Sequence, residues 1–69
     1  MVANVGKLVG KIAEHGYNNG AFAKAMGMSA ITLKRKIHDE QYEFFIGESV
    51  KAKELLHLTD EEYLTIFIG

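Results

Sequence analysis

The 69-residue sequence contains no cysteine, no proline and no tryptophan. Without cysteine the chain can form neither disulfide bonds nor thiolate metal sites, which suits a reducing cytoplasm. The absence of proline fits a mostly helical chain, because proline is disfavoured inside helices. A long apolar run is also missing, since Lys7, Gly10 and Lys11 interrupt the N-terminal one. We therefore expect neither a signal peptide nor a membrane span.

The length predicts a single domain over residues 1–69. A chain of this size buries only about 60% of its unfolded surface, so it needs an efficient core or a partner. A hydrophobic content of 48% can supply that core.

The net charge of −1 conceals a strong asymmetry along the chain. Residues 1–38 contain six cations and one acid, a balance of +5, and residues 39–69 contain two cations and eight acids, a balance of −6. This asymmetry suggests that one face meets polyanions while the other repels them or meets a basic partner. The alternative is that both halves are ordinary solvated surfaces.

The segment 19–38 has the pattern of two short helices that meet at a tight corner. Phe22, Ala23 and Met26 fall on one helical face. Gly27 follows at once, where a left-handed residue closes a helix without a side-chain penalty.

The second helix of this pair begins at Ser29, a good N-cap residue. Leu33 and Ile37 lie four residues apart and face the core. We predict helices over 20–26 and 29–38, which together form a helix-turn-helix unit. The exposed side of its second helix is the part that can enter a DNA major groove.

This pattern resembles the helix-turn-helix of phage Cro and repressor proteins. The resemblance rests on Ala23, Gly27 and Ser29 at fixed spacing, together with the apolar residues Phe22, Met26, Met28 and Leu33. It implies an all-α, five-helix domain that binds operator DNA and regulates transcription in a temperate-phage switch, in the cytoplasm of a bacterial host. The sequence departs from the family at residues 18–20, at Lys36 and at residues 39–40.

Three further helices are expected around this unit. Asn4 can cap a first helix that runs to about residue 15, with an apolar stripe of Val5, Leu8, Val9 and Ile12. A fourth helix over about 46–57 would bury Ile46, Val50, Leu55 and Leu56. In the loop between the third and fourth helices, Tyr42, Phe44 and Phe45 are expected to fill the core.

A fifth helix is predicted over about 60–67, opened by a capping box of Thr59 and Glu62. Its end is strongly apolar, with Tyr63, Leu64, Ile66, Phe67 and Ile68. This end either closes the small core or packs against a second copy of the chain, because core and interface residues have the same chemistry.

No catalytic or cofactor chemistry is indicated by the sequence. The histidines at 15, 38 and 57 show no ligand spacing, and His15 and His57 fit surface groups near helix ends. No phosphate-binding glycine loop and no nucleophile with a nearby base is present. We expect no enzyme, no cofactor and no metal.

For a DNA-binding protein, the third helix supplies the expected contacts. Arg35 would read a guanine edge beside Lys34, and Ala30 and Ile31 would meet thymine methyl groups. Phosphate contacts are expected from Asn19, Ser29, Thr32 and Lys36, and His38 lies on the same exposed side. A half-buried core position is the alternative for Ile31, and tight binding would need a two-fold dimer.

The rival hypothesis is a protein-binding modulator on the same scaffold. An acidic patch of Asp39, Glu40, Glu43 and Glu48 would occupy the basic DNA-reading surface of a separate phage repressor.

Overall fold

The computed structural model describes residues 3–39 and 41–68. Over those residues the chain forms five α-helices and one π-helical turn, without a β-strand. They are α1 (Val5–Glu14), α2 (Asn19–Met26), α3 (Ala30–His38), α4 (Ile46–Leu55), α5 (Asp60–Tyr63) and the π-helical turn (Leu64–Ile68). The described chain is compact, with a Cα radius of gyration of 10.6 Å. The predicted all-helical architecture is confirmed, and no described helix has the length and apolar character needed to cross a membrane.

The predicted starts of α1 and α5 are confirmed by hydrogen bonds from capping side chains. The Asn4 side chain accepts from the backbone N–H of Lys7 at 3.2 Å. At α5, the Thr59 hydroxyl accepts from the Glu62 N–H at 3.1 Å, and the Glu62 carboxylate accepts from the Thr59 N–H at 2.9 Å. These bonds satisfy backbone donors that have no partner inside the helix.

Three helices end in the same geometry, a left-handed residue followed by an apolar one. The left-handed residues are Gly16 after α1, Gly27 after α2 and His57 after α4, with φ of 78°, 79° and 50°. The N–H of the next residue then donates back into the helix: Tyr17 to Ile12 O, Met28 to Ala23 O and Leu58 to Lys53 O, at 3.1, 2.9 and 3.0 Å. This is the Schellman arrangement, which satisfies carbonyls at the helix end.

The buried core draws on α1 to α4, on the loops around α4 and on the π-helical turn, and Tyr63 of α5 packs against it. Among its most deeply buried side chains are Leu8 and Ile12 from α1, Phe22 from α2, Leu33 from α3, Phe44 from the α3–α4 loop and Leu56 after α4. Phe44 also packs edge-on against Phe67 with ring centroids 5.5 Å apart. Val9, expected in the apolar stripe of α1, is 39% exposed.

The predicted buried face of α4 is confirmed for Leu56 and in part for Leu55, which packs against the core, but it is wrong for Ile46 and Val50. Ile46 is 70% exposed and Val50 43% exposed, whereas Ser49 and Ala52 are fully buried, in line with Leu56 one turn later. The sequence interpretation favoured the large aliphatic residues, but α4 turns its small residues toward the neighbouring helices. The expected filling of the core is also wrong for two of the aromatic residues, since Phe45 is 70% and Tyr42 43% exposed.

The hydroxyl of Ser49 is buried without loss of hydrogen bonding. It donates to the Ile46 carbonyl oxygen at 2.7 Å and lies 2.7 Å from the Tyr63 hydroxyl. Since the one Ser49 proton goes to the carbonyl, Tyr63 is the donor in the second bond. The pair therefore ties α4 to α5 through the interior.

The apolar C-terminal segment is divided between core and surface. Ile66 and Phe67 are 3% exposed, and the Ile66 carbonyl accepts from the backbone N–H of Asn4 at 2.7 Å. Leu64 and Ile68 are 52% and 59% exposed. The helix expected over 60–67 is α-helical only as far as Tyr63, after which the chain forms the π-helical turn.

Candidate nucleic-acid interface

A three-residue turn holds α3 against α2. Gly27 adopts its left-handed conformation there, and Ser29 caps α3 by accepting from the Thr32 N–H at 3.1 Å. The Ser29 hydroxyl also donates to the Thr32 hydroxyl oxygen at 2.9 Å. Ala23 is buried in the packed pair of helices. The start of α3 is thereby fixed by its own cap and by the turn.

α3 has one buried side and one exposed side. Leu33 and Ile37 face the core, with 0% and 4% exposure. Ile31 is 65% exposed, so the half-buried core position considered for it is wrong. The other exposed residues of α3 are Ala30, Lys34, Arg35 and His38.

The exposed side of α3 borders an open groove of about 710 Å³. The groove is lined by Ile31, Lys34, Arg35, His38, Asp39 and Gln41. Neither Lys34 nor Arg35 forms an ion pair within residues 3–39 and 41–68. The groove therefore combines two available cations with one exposed aliphatic side chain.

The guanidinium of Arg35 lies beside an aromatic ring. Its central carbon is 5.5 Å from the ring centroid of Tyr42, within the range of a cation–π contact. This contact orients Arg35, and none of the ion pairs formed within residues 3–39 and 41–68 involves its N–H groups. Tyr42 thus lies at the surface next to a candidate DNA-reading residue.

Lys36 is engaged within the chain, and this engagement does not favour its predicted phosphate contact. Its ammonium donates to the Glu48 carboxylate at 2.9 Å and to the Glu43 carbonyl at 3.0 Å, and its side chain is only 10% exposed. The same Glu48 oxygen accepts from the Phe45 N–H at 2.8 Å. Lys36 therefore fastens α3 to the loop before α4.

The other predicted phosphate contacts lie at the two helix starts. Asn18 rather than Asn19 caps α2, because its side chain accepts from the Ala21 N–H at 2.7 Å. Asn19 is the exposed first residue of that helix. Ser29 and Thr32 lie at the start of α3 with their hydroxyls bonded to each other.

Lys51 is a cation that the sequence interpretation did not place near this unit. It extends from α4 toward the turn between α2 and α3, where a β-carbon added at Gly27 would lie 3.8 Å from its ammonium nitrogen. Lys51 belongs to the acidic half of the chain, and its position in the sequence carries no signal of this contact. Lys51 thus adds positive charge beside the turn.

The predicted acidic patch does not form as one free surface. Glu48 is bound to Lys36, and Glu40 lies outside the described residues. Asp39 is exposed at the end of α3, where its carboxylate accepts from the Gln41 N–H at 3.0 Å. Glu43 is exposed as well. The negative charge nearest the groove is therefore that of Asp39.

Comparison of the chain with protein-family models, with curated proteins and with solved structures finds no match.

Proposed function

We propose that the chain is a sequence-specific DNA-binding regulator of transcription, with α2 and α3 as a helix-turn-helix of the Cro and repressor type in a temperate-phage switch. The observation that supports it best is the exposed side of α3. There Lys34 and Arg35 stand beside Ile31 with no acidic partner in the described structure. The phosphates that border the major groove of DNA attract cationic side chains on an exposed helix.

The dimensions of α3 suit this role. An α-helix with its side chains is about 10–12 Å across, so the major groove, about 12 Å wide, admits it, and the nine residues of α3 would extend roughly 13 Å along that groove. Arg35 would donate two hydrogen bonds to a guanine edge, and Ala30 and Ile31 would contact thymine methyl groups. His38, one turn after Lys34, lies at the end of the same exposed side.

Phosphate contacts would come from residues at the edges of the unit. Asn19 and the Ser29–Thr32 pair lie at the helix starts, and Lys51 takes the place first given to Lys36. Such contacts position a protein on the duplex and carry no sequence information themselves.

One copy of the chain would contact only a short stretch of DNA, and a second copy would extend that contact. The apolar contact proposed for such a dimer is reduced to Leu64 and Ile68, because Ile66 and Phe67 are already buried in the chain's own core. Two copies would bind half-sites about 34 Å apart.

The test is binding of a fluorescent duplex pool with a randomised centre, followed by selection and sequencing. Arg35→Ala should reduce discrimination between selected and unselected duplexes by about 1–3 kcal/mol. Lys34→Gln should flatten the slope of log K against log salt by about 0.9. Lys7→Gln is the matched control, since Lys7 is an exposed cation beside the separate α1–α5 groove. Equal binding by the wild type and a Lys34→Gln/Arg35→Gln variant would remove the proposal.

The second candidate is a modulator that binds a repressor protein. One observation favours it: Phe45 and Ile46 are adjacent and each is 70% exposed, and contiguous exposed apolar groups are typical of protein interfaces. Asp39→Asn separates the two functions by the sign of its effect. Loss of this negative charge should strengthen binding to DNA alone, whereas it should weaken binding to a basic repressor surface.

A further inference from the structure

Two histidines that are 42 residues apart in sequence meet at the surface. The ring centroids of His15 and His57 are 5.6 Å apart, and their planes are tilted by 42°. Both residues are exposed. Their expected placement at helix ends is confirmed, but the contact between them was not expected from their positions in the sequence.

His57 occupies a backbone position where glycine is the ordinary choice. The same helix ending uses Gly16 after α1 and Gly27 after α2, and only α4 places a side chain at this left-handed position. A β-carbon there is costly, and such outliers concentrate at functional sites. The side chain retained at this cost is the one that contacts His15.

The surroundings favour a cation. His15 is the C-cap residue of α1, and His57 follows the C-cap residue of α4, so the C-terminal ends of two helices converge on the pair. The carbonyl ends of helices carry partial negative charge, which stabilises positive charge placed against them.

The spacing of the rings also fits a shared metal ion. Imidazole is a favoured ligand for zinc, copper and nickel. Two imidazoles on one ion, each with a metal–nitrogen bond of about 2.1 Å, have ring centroids roughly 5–5.5 Å apart. The observed 5.6 Å is close to that separation.

We propose that His15 and His57 form a surface site for a divalent transition-metal ion, Zn²⁺ or its probe Ni²⁺. The two imidazoles are the protein ligands, and water completes the coordination, because no cluster of three or more His, Asp or Glu side chains suited to a metal occurs in the part of the chain that the structure describes. A bound ion would connect the end of α1 to the end of α4. It would thereby stabilise the folded chain, by an amount that rises with the logarithm of the ion concentration once the site is filled.

The experiment is a titration of the full chain with ZnCl₂, and separately NiCl₂, in a buffer that does not bind metals. Isothermal calorimetry gives stoichiometry and affinity, and NMR of the histidine ring protons during the zinc titration identifies the ligands. We expect one ion per chain, the largest shifts at His15 and His57, and a melting temperature that rises with zinc.

The variants separate loss of the ligand from loss of the fold. His57→Gly places glycine at a left-handed position, so it should fold at least as stably as the wild type while its zinc affinity falls roughly tenfold or more. His15→Ala should lose affinity to the same extent. His38→Ala is the matched control, because His38 lies on α3, and it should bind zinc like the wild type.

Three results would overturn the proposal. They are the absence of saturable binding, wild-type affinity in His57→Gly or His15→Ala, and ring shifts centred on His38. Because His57→Gly is compared with the wild type in metal-free melting as well, a damaged fold cannot be mistaken for a lost site.

Discussion

Replacement of Lys36 by methionine gives a direct test of the structural role of this residue. The side chain has two hydrogen-bond acceptors, the Glu48 carboxylate at 2.9 Å and the Glu43 carbonyl at 3.0 Å. Its ammonium also lies 4.3 Å from the ring centroid of Phe45. Methionine keeps most of the aliphatic stem and removes only the charge and its donors.

The expected loss follows from the burial of the pair. The side chains of Lys36 and Glu48 are 10% and 24% exposed, so solvent screens their contact less than it screens a surface ion pair. A hydrogen bond to a charged group contributes about 1.5–3 kcal/mol. We expect Lys36→Met to lower the free energy of unfolding by about 2 kcal/mol, and each kcal/mol shifts the melting temperature of a domain this size by about 4–8 °C.

The assay compares two neighbouring lysines by thermal melting and by salt-dependent DNA binding. Lys36→Met should melt at lower temperature yet keep the wild-type salt slope when measured well below its melting point. Lys34→Met should melt close to the wild-type temperature, with a stability change within about 0.5 kcal/mol, but the salt slope of its DNA binding should be reduced by about 0.9. A stable Lys36→Met variant with a reduced salt slope would refute the reasoning, since Lys36 would then contact phosphate.

Three further predictions concern the turn before α3, the hydrogen bond between α4 and α5, and the ion pair between α1 and α5. Gly27→Ala should lower the unfolding free energy by about 1 kcal/mol in urea denaturation, because alanine is strained at a φ of 79°, and an unchanged midpoint would contradict the turn geometry. Ser49→Ala should cost about 1–2 kcal/mol by leaving the hydroxyl of the half-buried Tyr63 without its acceptor, and adding Tyr63→Phe should recover part of that loss. Lys11 and the Thr59 N–H hold the pKa of the Glu62 carboxyl at about 2, below its ordinary value of 4.5. The charged Glu62 therefore stabilises the folded chain fully above pH 4.5, and this stabilisation is lost as the pH falls through about 2. The difference in melting temperature between the wild type and Glu62→Gln should therefore shrink as the pH is lowered, and a constant difference would contradict the ion pair.

The sequence was informative where a local signal determined the structure. Ser29 and Thr59 start helices through bonds that reach only three residues along the chain. Gly27 ends one because its conformation suits no other residue as well. Such interactions depend on nearby residues alone, so the element types and most of their starts could be predicted.

The failures have non-local causes. Lys36 and Glu48 are 12 residues apart, so the ion pair that engages Lys36 within the chain has no signal in local spacing. The buried face of α4 was misassigned because Ser49, a polar residue, is buried with a partner 14 residues away. His57 adopts a left-handed backbone conformation, which a histidine in the sequence does not predict.

The most direct test of the DNA-binding proposal is an NMR titration of the isotopically labelled chain with a short duplex of mixed sequence at low salt. Even binding without sequence preference should bring α3 against the phosphates. The account predicts the largest amide and side-chain shifts at Ile31, Lys34, Arg35 and His38, and their reversal as salt is added. No shift at low salt, or shifts concentrated in α1 and α5 while α3 stays unperturbed, would contradict it.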